Sequence, residues 1–131
     1  MKAIICGAGE VGENIARVLA EEKVDVTVID QRQELIQKIS KSLEVQAMVG
    51  HASQPDVLEV AGARDADLLI AVTLSDEVNM VACQVAHSLF DVPTKIARVR
   101  ARSYLRPIWS DLFARDQLPI DTIISPEMEV A

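Results

Sequence analysis

Six short runs of apolar, often β-branched residues recur along the chain, at positions 3–6, 26–29, 45–49, 68–72, 95–99 and 120–124. Each reads as a strand buried on both faces of a parallel sheet. Between the early runs the period changes to 3.6. Val11, Ile15, Val18 and Leu19 share one helical face, as do Leu35, Ile36, Ile39 and Leu43, and again Val78, Val81, Ala82, Val85 and Leu89. A short helix is predicted from Ser53 as cap, with Asp56 three residues on, Pro55 in the first turn and Gly62 as a left-handed stop. Alternating strands and helices with right-handed crossovers predict an α/β fold, a Rossmann-like doubly wound parallel sheet of about six strands in the order 3-2-1-4-5-6 with helices on both faces. After Arg100 the pattern weakens, and Tyr104, Leu105, Ile108, Trp109, Leu112 and Phe113 predict one irregular helix bent at Pro107. Ser125-Pro126-Glu127 reads as the start of a further helix, so residues 1–131 are expected to be a single domain of a protein that continues.

The length of 131 residues suits one domain, and a chain half apolar and a quarter charged folds rather than staying disordered. A net charge of −7 repels a polyphosphate backbone, so nucleic acid is not an expected partner. No apolar run approaches a membrane span, and Gly7 and Glu10 interrupt the N-terminal apolar stretch too early for a signal peptide, which predicts a soluble, cytoplasmic chain. Cys6 and Cys83 lie inside apolar patterns as small buried hydrophobes, and with His51 and His87 alone beside them a metal site lacks ligands.

The candidate chemistry begins directly after the first strand. Gly7-Ala8-Gly9-Glu10-Val11-Gly12 is a GxGxxG loop that opens a helix, and Asp30 closes the second strand eighteen residues beyond Gly12. In such a loop Gly7 permits the tight turn, Gly9 lets a pyrophosphate approach the backbone, and Gly12 lets helix and strand pack closely. The phosphates then meet unpaired amides at the positive end of the helix dipole. Asp30, with Gln31 beside it, is placed to accept hydrogen bonds from a ribose, favouring NAD over NADP; Asp30 can alternatively cap the helix over 31–41. Arg32 is a possible partner for a 2′-phosphate or a solvated residue at the helix start.

Ligands of doubly wound sheets lie at the carboxyl ends of strands. That adds His51, Ala52 and Ser53, then Thr73 and Leu74, then Arg98 and Arg100. Thr73 can meet a phosphate or second ribose, or cap the helix from Asp76. Arg98, Arg100 and Arg102 alternate with Val99 and Ala101, so all three point to one side if the fifth strand extends that far.

These residues, with Gly50-His51-Ala52 to Val57-Leu58, Ala61-Gly62-Ala63, Asp65-Ala66-Asp67 into Leu69-Ile70-Ala71-Val72-Thr73, the stretch Ser75-Asp76-Glu77-Val78-Asn79-Met80-Val81-Ala82-Cys83-Gln84-Val85-Ala86 and the closing Pro119-Ile120-Asp121 to Ile124-Ser125-Pro126-Glu127, resemble the regulatory N-terminal domains of bacterial Trk potassium-uptake proteins. This is the TrkA-N family, also called RCK or KTN domains. The resemblance implies a non-catalytic cytoplasmic subunit that binds NAD(H), and often ATP or ADP, through the loop from Gly7 to Gly12, Asp30, Thr73, Leu74 and Arg98. It implies assembly as homodimers and higher rings, gating of a membrane potassium transporter from its cytoplasmic side, and a connecting helix and C-terminal lobe beyond this domain. Glu10 stands where some members carry arginine, which argues against a tight electrostatic clamp on ATP. Trp109, Phe113, Leu118 and Met128 form apolar material that either a second subunit or an intrachain layer could cover. The competing readings are an NAD-dependent oxidoreductase domain lacking its substrate domain, and an interaction module whose glycine loop is only structural.

Overall fold

The computed structural model describes residues 1–114 and 117–125. Strands β1 (Lys2–Cys6), β2 (Asp25–Asp30), β3 (Gln46–Val49), β4 (Leu68–Ala71), β5 (Thr94–Arg98) and β6 (Thr122–Ile124) form one sheet in the order β3-β2-β1-β4-β5-β6. All five pairings are parallel. The order reverses between β1 and β4, so their carboxyl ends open a crevice at the tip of the sheet.

Alternation along the strands sends side chains to two apolar layers. Ile5, Val26, Val28 and Ile70 pack with Ala16 of helix α1 (Glu10–Glu21) and with Ile36 and Ile39 of α2 (Gln33–Ser42). Ile4, Cys6, Ile29, Leu69 and Ala97 pack on the other face with Leu58 of α3 (Pro55–Val60) and with Ala82, Cys83, Ala86 and Phe90 of α4 (Asp76–Phe90). Gly62 adopts φ +94° and ends α3 as expected, but Gln54 rather than Ser53 precedes its first turn and no side chain caps it.

Three further expectations are corrected. Residues 102–113 form two 3₁₀ segments, Arg102–Leu105 and Pro107–Phe113, in place of one bent helix. The buried face of α4 carries Asp76, Asn79, Met80, Ala82, Cys83, Ala86 and Phe90; of the expected face Ala82 is buried and Val85 packs on the core, while Val81 and Leu89 are exposed. The sheet's tip offers backbone amides and carbonyls to the first turn of α4, so polar side chains are what that turn buries. Lys95, inside a run read as apolar, is fully buried because its Nζ donates to the carbonyl of Val92 at 2.7 Å and lies 3.6 Å from Asp121 Oδ2. Of the expected apolar cluster, Trp109 is exposed, Phe113 and Leu118 pack on the core, and Met128 lies outside the described residues, as does all of the expected terminal helix start except the buried Ser125.

Both cysteines are buried. Burial pushes the Cys83 thiol from 9.0 up to about 12, against a lowering influence from Lys95, and burial pushes Cys6 higher still. Between about pH 9 and 12 the folded chain therefore keeps thiol protons that the unfolded chain releases, so this contribution to stability is intact below pH 9 and is lost as pH rises through that window. We expect a thiol reagent at pH 8 to label neither cysteine in the folded protein and both in denaturant. Rapid labelling of the native protein would contradict the packing of Cys6 against β2 and β4.

Candidate functional site

At the tip of β1 the chain turns sharply. Gly7 has φ +112°, and a Cβ there would stand 2.9 Å from the carbonyl oxygen of Val72 at the end of β4. Both facts demand glycine. The Gly7 N–H donates to the carbonyl of Ile29 at 2.7 Å, locking the loop to β2. A Cβ on Gly12 would collide with the carbonyl oxygen of Gly7, so the first turn of α1 can sit on the loop only without a side chain. Gly9 differs: a Cβ there would meet only Arg32 Nη2, at 3.9 Å. The protein itself does not require glycine at that position, whereas a ligand lying against the backbone would.

The first amide of α1 to bond within the helix is Glu13, to the carbonyl of Gly9 at 2.8 Å. By helix geometry the amides of Glu10, Val11 and Gly12 are left as donors at the positive end of the dipole. Asp30, 8% exposed, faces this loop. Its Oδ2 accepts from the Ala8 N–H at 2.8 Å, and its Oδ1 accepts from the Arg32 N–H at 2.8 Å. Asp30 is thus not the cap of α2, which begins at Gln33; its carboxylate is oriented by two amides.

A cleft of about 760 Å³ spans the crevice. Gly7, Gly9, Glu10, Val11, Asp30, Gln31, His51, Ala52, Thr73, Leu74, Arg98 and Arg100 line it. Of the expected site residues Ala8, Gly12, Ser53 and Arg102 do not, Ala8 and Gly12 because they support the loop from behind. Its remaining walls include Arg32, Gly50, Ser75 and Val78. Three arginines and a histidine face two carboxylates here, so the cleft is locally basic on a chain of net charge −7. Among the described residues no cluster of His, Cys, Asp and Glu could hold a metal ion, and no helix is long and apolar enough to cross a membrane.

The far wall is built by a network that sequence reasoning missed. Asn79 is fully buried; its Nδ2 donates to the carbonyls of Thr73 at 3.2 Å and Arg98 at 2.8 Å, and its Oδ1 accepts from the Thr73 N–H at 2.9 Å and the Thr73 hydroxyl at 2.7 Å. Asp76, also buried, accepts from the N–H groups of Arg100 and Ala101 at 2.9 and 2.8 Å. Ser75, not Thr73, caps α4 by accepting from the Val78 N–H. Arg98 Nη2 donates to the carbonyls of Val72 and Thr73, fixing the tip of β4. Because β5 stops at Arg98, the three alternating arginines do not share one side: Arg98 and Arg100 line this cleft, and Arg102 lines a second one beside β6.

A sequence profile of the TrkA-N domain matches residues 3–126. The chain belongs to the TrkA-N family. It is 58% identical over 130 residues to the Trk system potassium uptake protein TrkA of Azorhizobium caulinodans, covering 99% of this chain but only 28% of that protein. The chain thus spans little more than a quarter of that relative. The TrkA-N domain of the inner membrane protein ybaL from Escherichia coli shares the fold, with a TM-score of 0.82 at 17% identity over 98% of this chain and 90% of that one. The Kef C-terminal domain of Shewanella denitrificans in its AMP-bound form superposes with a TM-score of 0.69 at 25% identity, over 84% of this chain and 69% of that one.

In this TrkA-N domain Asn79 joins the tips of β4 and β5 to α4. Asn79→Ala leaves the Thr73 N–H and the Arg98 carbonyl without their buried partner, while the Thr73 carbonyl keeps Arg98 Nη2, at a cost of about 1–3 kcal/mol per buried group and less where water enters. Urea denaturation should show about 3 kcal/mol lost. A loss below about 1 kcal/mol would mean the network contributes little.

Proposed function

We propose that this chain is the nucleotide-sensing domain of a regulatory subunit of a potassium-uptake transporter, binding NAD(H) across the tip of the sheet without turning it over. The observation that carries the reading is the open space over Gly9 between the α1 amides and the oriented carboxylate of Asp30. That arrangement suits a diphosphate on the loop and an unsubstituted ribose diol on Asp30. The AMP-bound relative supports an adenine ligand in this fold, and the Trk relative supports potassium uptake as the process served. ADP and ATP share the adenosine and diphosphate. Glu10, exposed at the loop, disfavours additional phosphate charge.

The non-catalytic reading has its own support. Adenosine on Asp30 places the nicotinamide toward the β4–β5 wall, where Thr73, Leu74, Ser75, Val78, Arg98 and Arg100 line the cleft, while His51 lies on the adenosine side. His87, on α4, is not part of the lining. Oxidation of a substrate beside the nicotinamide would need a general base at the substrate, and that wall carries no His, carboxylate, Lys, Tyr or Cys among its described lining residues. Gating then follows from linkage: occupancy favours whichever assembly of subunits binds the nucleotide more tightly, and a membrane transporter contacted from the cytoplasmic side responds to that assembly. The exposed Ile108, Trp109 and Leu112 give a homodimer or ring apolar surface to bury.

Calorimetry with NADH, NAD and ADP tests the reading: saturable heat for at least NADH is expected, and none with any of the three up to millimolar concentration would overturn it. Turnover of NAD with alcohols, hydroxy acids or amino acids would favour the oxidoreductase alternative.

A further inference from the structure

The lip of the cleft carries a charge arrangement that a site specific for an unsubstituted ribose does not need. Asp30 Oδ1, already accepting from the Arg32 N–H, also lies 3.4 Å from Arg32 Nε. The Arg32 side chain is 46% exposed against 7% for that of Asp30. The carboxylate is therefore held by the fold, and the guanidinium rests on it from the solvent side through one long contact. Its Nη2 reaches over Gly9. Arg32 thus spans the gap between the place of the diphosphate and the place of the ribose, with five N–H donors on a planar cationic fork.

A ribose on Asp30 directs its 2′-hydroxyl at this carboxylate. A phosphate at the 2′ position would meet the same carboxylate and be repelled, unless a cation stood within reach. Arg32 is that cation. Swinging off Oδ1 exposes a lone pair for the sugar and turns a planar fork toward whatever leaves the 2′ position, a geometry suited to bidentate pairing with phosphate.

Resting on the nucleotide reading above, we propose that Arg32 sets the selectivity of the cleft at the ribose 2′ position, allowing a 2′-phosphorylated dinucleotide to bind despite Asp30. Asp30 and Arg32 then act in opposition, the carboxylate favouring NADH and the guanidinium restoring NADPH.

The test is calorimetry of both dinucleotides against the unaltered protein, Arg32→Ala and Asp30→Asn, each variant first shown to be folded by circular dichroism. We expect the unaltered protein to bind NADH more tightly than NADPH by about tenfold or less. Arg32→Ala should raise the ratio of the NADPH to the NADH dissociation constant by about a further tenfold, and Asp30→Asn should lower it, the scale of one charge-assisted contact. Opposite shifts from two neighbouring substitutions would not follow from loss of folding. A ratio unchanged by Arg32→Ala overturns the assignment, whether both affinities fall together, as for a residue serving the shared diphosphate, or neither moves. If the unaltered protein binds neither dinucleotide, the nucleotide reading fails first and this inference falls with it.

Discussion

Asp30→Ala is expected to weaken NADH binding by about 1–3 kcal/mol, or about five- to 150-fold in dissociation constant, the range of charge-assisted hydrogen bonds to a buried group. Two effects contribute. In the proposed pose the substitution removes the acceptor for the ribose hydroxyls, and it releases the N–H groups of Ala8 and Arg32, which its two carboxylate oxygens now hold at 2.8 Å. The second effect loosens the glycine loop itself. Pyrophosphate separates them: if the ribose contact dominates, the variant's affinity for inorganic pyrophosphate changes less than its affinity for NADH. Equal losses would assign the effect to the loop, and unchanged NADH affinity would remove Asp30 from the site.

The largest structural effect is expected at Gly12, and its contrast with Gly9 is diagnostic. A methyl group at position 12 would run into the carbonyl oxygen of Gly7 and come within 2.8 Å of its carbonyl carbon. These are backbone atoms, already fixed by the positive φ of Gly7 and by its hydrogen bond to Ile29. Nothing flexible can yield, so the cost reaches the upper end of the usual overpacking range, about 3 kcal/mol or more, and Tm falls by about 10 °C or more. At position 9 the same methyl group meets only the end of the Arg32 side chain, at 3.9 Å. Gly9→Ala should melt within a few degrees of the unaltered protein yet bind NADH at least about tenfold more weakly, because the methyl stands where the diphosphate approaches. A Gly9→Ala protein that binds normally would make the loop purely structural, whereas a Gly12→Ala protein that melts normally would contradict the loop geometry.

What was legible in the sequence was local. Buried parallel strands write themselves as apolar runs, and the turn from β1 to α1 needs glycines at fixed spacing, so the strands, the loop and Asp30 could be read from neighbouring residues, and right-handed crossovers turned their alternation into the sheet order. Long-range satisfaction of polar groups could not. Asn79 bonds to Arg98 nineteen residues away, and Asp76 to Arg100 twenty-four away, so their burial depends on where α4 meets β5. The available signal was a polar pair at i and i+3 in the first turn of α4, aligned with Met80 and Cys83 on the buried face. Lys95 was hidden in part for the same reason, since Val92 is only three residues away but Asp121 reaches it only once β6 is paired with β5. The segment over 102–113 has apolar residues at helical spacing but no fully buried position to anchor them, and it settles into two 3₁₀ segments.

We propose that the nucleotide's diphosphate sits on the amides opening α1 with its ribose on Asp30. A titration of the isotope-labelled protein with NADH, followed by amide NMR, tests it directly. The largest shifts are expected at the N–H groups of Gly9, Glu10, Val11 and Arg32, with smaller ones at Thr73 and Leu74. Shifts confined to the second cleft, around Arg102, Arg106 and Thr122, or none at all, would contradict it.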